Sequence, residues 1–386
     1  MYKTNDMKMK RGLKTVMVIV LLSIVCFFFS CEIKDHQEIG KIMIDPHAKN
    51  TEVNITVKSI VQLETSDSSL IGHINTVKYY KNRFYIFDQN ISKTLFVFDS
   101  TGKFINKTRL GHGPGEIIEP WNFCIDEASN TILLWDQMPF NLNVYDLNLS
   151  FIKSINCPSI AIRSLSCLGD GSFLILSQMF PVSHGKIMEK VAYDYFVYSR
   201  DFQSVINKIH ITDPRTSNVT MDNPICKSKQ VFFIAPMDNN IYRLTKDYNP
   251  KPFYKFDLGK YQVTDNDLNK GTEYYRSEMK KGNKICSLGN LFLNDNYITV
   301  SYSYRDKTEF CIYNRKSRKV INSGDPTLIK QLPRCEIKGL LGDSTFIGVV
   351  EANDYNQFLK DGQNVSKDLL PIDNFSNQVI FMFISD

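Results

Sequence analysis

The run Gly111-His112-Gly113-Pro114-Gly115-Glu116 sets an imidazole and a carboxylate among three glycines. Backbone this bare can approach a ligand closely, and His112 and Glu116 then supply a base or acceptor at the point of approach. A phosphate cradle does not fit, because Pro114 removes a backbone donor, no Lys-Ser/Thr pair follows and no helical pattern begins after it. Two carboxylates stand in matching contexts, Phe87-Asp88-Gln89 and Trp135-Asp136-Gln137. From neighbouring repeat units they could share a divalent cation such as Ca²⁺, or accept sugar hydroxyls. They could equally hold turn amides, as Asp at a strand end commonly does. With Trp121 as a stacking surface, Asp88, Asp136, His112 and Glu116 make one candidate ligand-binding set, in which glycine turn and carboxylates would meet at one mouth of the fold.

Other catalytic patterns are thin. Six histidines (His36, His47, His73, His112, His184, His210) are scattered without H-E-x-x-H or an i, i+4 pair, and G-x-S-x-G is absent. Beyond Cys26 and Cys31, the seven cysteines Cys124, Cys157, Cys167, Cys226, Cys286, Cys311 and Cys335 form no C-x-x-C and stand at no zinc spacing. Several sit between apolar strand residues, as in Phe123-Cys124-Ile125, so buried thiols acting as small hydrophobes are expected. No cofactor is expected beyond a cation in a central channel.

The elements that must position these groups are repeats. Residues 79–107 align with 125–154: Phe87-Asp88 on Trp135-Asp136, Phe98-Asp99 on Tyr145-Asp146, and Phe104-Ile105 on Phe151-Ile152. Each unit reads as short apolar strands separated by polar turns. The strand pair recurs, with drift, at 173–177/195–199, 231–235/240–244, 297–301/310–314 and 346–350/379–383. Insertions fall at 178–192, 259–284 and 351–377. The second has helix-compatible composition, with Asp265 as its expected N-cap. Six units of 40–50 residues predict an all-β, six-bladed β-propeller of four-stranded antiparallel blades. Residues 53–63 have no partner unit, so this N-terminal strand is expected to close the last blade beside 379–384.

Phe98-Asp99-Ser100-Thr101-Gly102-Lys103-Phe104, then Gly111-His112-Gly113-Pro114-Gly115-Glu116, then Ile125-Asp126 resemble the signature of bacterial six-bladed, NHL-like propeller lipoproteins. The likeness is specific across residues 70–155 and architectural beyond. It implies a propeller exported to the cell envelope and no defined activity. The N-terminus agrees. Basic Met1–Lys14 precedes an apolar run over 15–29, shorter than the roughly 20 residues that span a bilayer core. Ser30-Cys31 then resembles a lipoprotein cleavage site, with Phe28 in place of the usual Leu. The expected organisation is a signal peptide over 1–30, a lipidated Cys31 with a flexible tether over 31–52, and a propeller over 53–386. Membrane association would run through the lipid on the outer membrane, on its periplasmic side or at the cell surface.

The formal charge of +5 is concentrated in this leader. Residues 1–30 carry +4, which leaves the remainder at +1 and offers no footprint for nucleic acid. The function expected is a binding or interaction module for a glycan, peptide or partner protein. The alternatives are a calcium-dependent enzyme similar to lactonase propellers, and a structural subunit of an envelope complex. Clustered carboxylates and Asn on one mouth would favour the enzyme, an open, aromatic-rich mouth the binding module, and a channel plugged by large apolar side chains, with a flat apolar outer patch, the structural subunit.

Overall fold

The computed structural model describes residues 39–48, 55–138, 140–157, 162–177, 182–183, 186–187, 194–209, 213–216, 219, 221–324, 332–342, 344–361 and 370–385. Six four-stranded antiparallel sheets succeed one another along the chain as the blades of a propeller. Blade 1 holds Thr76–Tyr80, Arg83–Asp88, Thr94–Asp99 and Phe104–Lys107; blade 2 holds Pro120–Asp126, Thr131–Asp136, Asn141–Tyr145 and Phe151–Asn156. Blade 3 is Ser164–Cys167, Phe173–Leu176, Tyr195–Tyr198 and Val205–Ile209. Blade 4 is Ile225–Lys227, Val231–Ile234, Asn240–Leu244 and Pro250–Asp257, and blade 5 is Leu288–Leu293, Tyr297–Tyr304, Lys307–Asn314 and Lys319–Gly324. Blade 6 joins Glu336–Leu341, Thr345–Val350 and Val379–Ser385 to Ile55–Gln62. The last pairing is antiparallel, from Ile55 opposite Ser385 to Gln62 opposite Val379, and it closes the ring as the sequence predicts.

The apolar runs of the middle strands follow from this packing. A blade is covered on both faces, so a strand reads as continuous hydrophobe instead of alternating with polar residues. In blade 1, Phe84 and Ile86 pack toward blade 6, and Tyr85 and Phe87 pack toward blade 2. Every neighbouring pair of blades is joined by such a cluster. Trp135, fully buried, fills the wedge between blades 2 and 3.

Three segments depart from the sequence reading. Gly40–Met43, within the span read as a flexible tether, adds a fifth strand to blade 4, parallel to its outer strand Pro250–Asp257. Alternation explains it: Ile42 and Ile44 are buried, Met43 is exposed, and Lys41 pairs with Asp257 at 2.7 Å. The insertion after blade 4 forms helices Asp265–Asn269 and Thr272–Lys281, but Thr264, not Asp265, is the N-cap. Thr264 wins because Asp267 three residues on completes a capping box: the Thr264 hydroxyl accepts from Asp267 N–H, and the Asp267 carboxylate accepts from Thr264 N–H. A further helix, Ala352–Lys360, sits inside the last insertion and buries Tyr355 and Phe358 against blade 6. The signal segment, Cys31 and His184 lie outside the described residues.

Candidate functional site

Asp88 and Asp136 end the second strands of blades 1 and 2, and both are buried. Asp88 accepts backbone N–H bonds from Gly72 (2.8 Å), His73 (3.2 Å), Ile91 (2.9 Å) and Ser92 (3.1 Å). Asp136 accepts from Ile118 (2.9 Å) and Glu119 (2.7 Å). Each carboxylate thus holds the connector that enters its own blade. Burial works against the charge at both positions, with opposite outcomes. At Asp88 the N–H donors outweigh it and hold the pKa below the ordinary value. At Asp136 burial prevails and the pKa is raised.

The glycine run lies in the wedge between blades 1 and 2. Its flanks Arg109–Leu110 and Glu116–Ile117 pair in parallel, and Ile117 is buried in the cluster these blades share. Glu116 folds back on the loop, its Oε2 accepting Gly113 N–H at 2.8 Å. Gly115 has φ +77°, its carbonyl accepts from Tyr145 Oη at 3.0 Å, and a Cβ there would meet the Phe151 ring at 2.5 Å. Phe151 belongs to the outermost strand of blade 2, so the loop fits against the perimeter of the fold. His112 is exposed on it. Trp121 lies on the other side of blade 2, in contact with the cluster shared with blade 3 and capped by the Arg163 guanidinium 4.7 Å above its ring. The structure therefore joins Glu116 to the glycine run and each Asp to a connector, but does not gather the five residues around one opening.

What it does gather is the wall of the central channel. The innermost strands of all six blades enclose a cavity of about 410 Å³. All six inner strands start at the same end of the channel, so their last residues mark one mouth. There stand Tyr80, Glu127, Lys229 and Asp295, with Lys227 3.8 Å from Glu127 and Lys229 paired with Asp295. Toward the other end a chain of hydrogen bonds crosses the channel: Thr76 Oγ1 donates to Asn223 Oδ1 (3.0 Å), Asn223 Nδ2 to Asn290 Oδ1 (2.8 Å), and Asn290 Nδ2 to Ser301 Oγ (3.0 Å). Between lie Asn122, Ser164, Ser166 and Asn294, interleaved with Phe123, Leu165 and Leu293. A few polar groups set in an apolar wall are the usual make-up of a small-ligand site.

Besides the charges at the mouth, Lys78 lines this wall. Its ammonium donates to Phe123 O at 2.9 Å and lies 4.9 Å from the centre of the Phe123 ring. Burial drives its pKa below the ordinary value, against the pull of nearby Cys124 and Cys167. Sequence reasoning passed over Lys78 because Thr76-Val77-Lys78-Tyr79-Tyr80 looks like a half-exposed edge strand. The one available signal was the lysine's place in the innermost strand of a repeat.

The donor set does not suit calcium. Among the described residues no three His, Cys, Asp or Glu side chains converge. The mouth carboxylates are each paired with a lysine. A second cavity of about 310 Å³, bounded by His73, Arg334, Glu336, Lys338 and Glu351, occupies the opposite end of the propeller. Lys338, almost fully buried, pairs with Glu336 at 2.7 Å.

Comparison with solved structures returns the same architecture. The "putative exported protein" of Bacteroides fragilis NCTC 9343 is 19% identical with a TM-score of 0.74, covering 90% of this chain and 99% of that one. A DUF4221 family member from Bacteroides vulgatus ATCC 8482 is 11% identical with a TM-score of 0.53, covering 88% and 99%. At these identities the likeness is one of fold. No curated protein matches the chain. A family model does, over residues 47–383, and the chain accordingly belongs to the family described as domain of unknown function DUF4934.

Proposed function

We propose that this chain is a cell-envelope lipoprotein whose propeller is a binding module, and that the ligand seats in the central cavity. The observation that carries the reading is the cavity itself: about 410 Å³, reached past Tyr80 and Glu127, and lined by amide and hydroxyl groups around the half-buried Lys78. It is neither filled by large apolar side chains nor ringed by carboxylates, the two arrangements expected of a structural subunit and of a calcium-dependent hydrolase. Its size and polarity suit a short glycan or peptide end bearing hydroxyls or a carboxylate, with Lys78 as anchor. Export is supported by the basic-then-apolar leader and Ser30-Cys31, and by the description of the Bacteroides fragilis neighbour as exported.

Screening glycans and short acidic peptides by thermal shift tests the binding role. The expected result is a ligand whose stabilisation disappears in Lys78→Met and survives His112→Ala. Hits that persist unchanged in Lys78→Met would remove the cavity from the reading. Fatty-acid labelling of cells tests the anchor: wild type should label and Cys31→Ser should not.

A further inference from the structure

Cys124 and Cys167 occupy the innermost strands of blades 2 and 3, each on the wall of the central cavity. Their Sγ atoms are 2.7 Å apart. Bond formation needs a sulfur separation of about 2.05 Å, so a movement well under one ångström joins them. None of the other five described cysteines is placed opposite a second thiol in this way: Cys226, on the same wall, is engaged with Leu293, whose N–H it accepts at 3.2 Å. Forty-three positions separate the pair in sequence, and no C-x-x-C or other spacing motif marks it.

We infer that Cys124 and Cys167 are a redox-active pair that closes to a disulfide and staples blade 2 to blade 3 along the channel wall. The oxidant is a small-molecule disulfide entering through the open mouth. The Cys124 or Cys167 thiolate attacks one sulfur of RS–SR, releasing RS⁻ and leaving a mixed disulfide. The second cysteine thiolate then attacks the cysteine sulfur of that mixed bond and expels the second RS⁻. Two thiols are oxidised, RS–SR is reduced to two RSH, and the cysteine protons end on the leaving thiols. Burial holds the Cys167 thiol up, against the pull of the Lys227 ammonium. Exchange is therefore slow and is best followed at mildly alkaline pH.

The experiment treats the reduced, folded chain with 2-hydroxyethyl disulfide, then denatures it, alkylates free thiols and maps peptides by mass spectrometry. The wild type should lose two alkylatable thiols, yield a linked Cys124–Cys167 peptide and unfold at a higher urea concentration than the reduced form. Cys226→Ser should behave like the wild type, while Cys124→Ser and Cys167→Ser should give no internal link. A wild type that keeps all its thiols, that stops at stable mixed disulfides, or that links other cysteines overturns the inference. Because the peptide map is read on the wild type, misfolding of a serine variant does not remove the test.

Discussion

Replacing each buried carboxylate by its amide separates the roles of Asp88 and Asp136. At Asp88, Oδ2 serves Gly72, His73 and Ser92, and Oδ1 serves Ile91. Asparagine keeps three of these bonds with its oxygen at the Oδ2 place and turns an NH₂ toward the Ile91 N–H. One orphaned buried donor costs about 1–3 kcal/mol, and lost charge assistance adds to it, so Asp88→Asn should cost about 2–3 kcal/mol. At Asp136 either the Ile118 or the Glu119 bond is lost, whichever way the amide turns, but the environment already disfavours the charge, and about 1–2 kcal/mol is expected. The pH dependence should differ in sign. The depressed Asp88 pKa gives stability that is present above the ordinary 3.8 and lost as pH falls through the folded value. The raised Asp136 pKa gives stability that is present below 3.8 and lost as pH rises through the folded value. The cost of Asp88→Asn should therefore shrink in acid and that of Asp136→Asn should grow. Urea unfolding followed by tryptophan fluorescence reads both, because Trp135 is buried between blades. The two sites share no partner, so the double substitution should be additive within about 0.5 kcal/mol. Equal costs at neutral pH, or the same sign of pH dependence, would refute the reasoning. Unchanged stability with altered ligand binding would reassign both residues from scaffold to site.

Lys78→Met should leave the fold intact and be neutral or stabilising, because a desolvated charge is exchanged for an apolar chain of similar volume. The wild type should gain on that variant as pH rises toward 10.5, since a depressed lysine pKa gives stability that is lost as pH falls through the folded value; parallel stability curves would count against a buried amine. Gly115→Ala should cost about 2–3 kcal/mol, combining the left-handed φ with the approach to Phe151, and a loss under about 0.5 kcal/mol in urea unfolding would show that the loop yields freely. Ile42→Ala should cost about 2–4 kcal/mol if the added strand of blade 4 is integral, and nothing measurable if it merely rests there.

The middle strands were legible because both of their faces are buried: Phe84-Tyr85-Ile86-Phe87 and Leu95-Phe96-Val97-Phe98 have no other use than a wedge on each side. Ring closure was legible because Val53–Leu63 was a strand without a unit. The innermost strands were not, since a channel wall mixes lysine, serine and cysteine with apolar residues, and Ser164-Leu165-Ser166-Cys167 carries no periodic signature. Asp88 and Asp136 were correctly seen as equivalents, but their partners at 72–73 and 118–119 belong to connectors whose path no local pattern records. Gly40–Met43 was missed because a parallel fifth strand depends on an open sheet edge formed some 210 residues later.

Blade 6 also sets an order of events. Its outer strand, Ile55–Gln62, is made among the first residues of the propeller and its partner, Val379–Ser385, among the last. During synthesis or passage through a membrane, five blades can assemble while the first strand waits unpaired, and the ring can seal only when the chain is complete. A chain cut before Val379 would keep the material of five blades yet present open edges on both sides of the gap, surfaces prone to pairing with other chains or to proteolysis. Ring closure thus waits on the C-terminal strand, which joins the last part of the propeller to be made to the first.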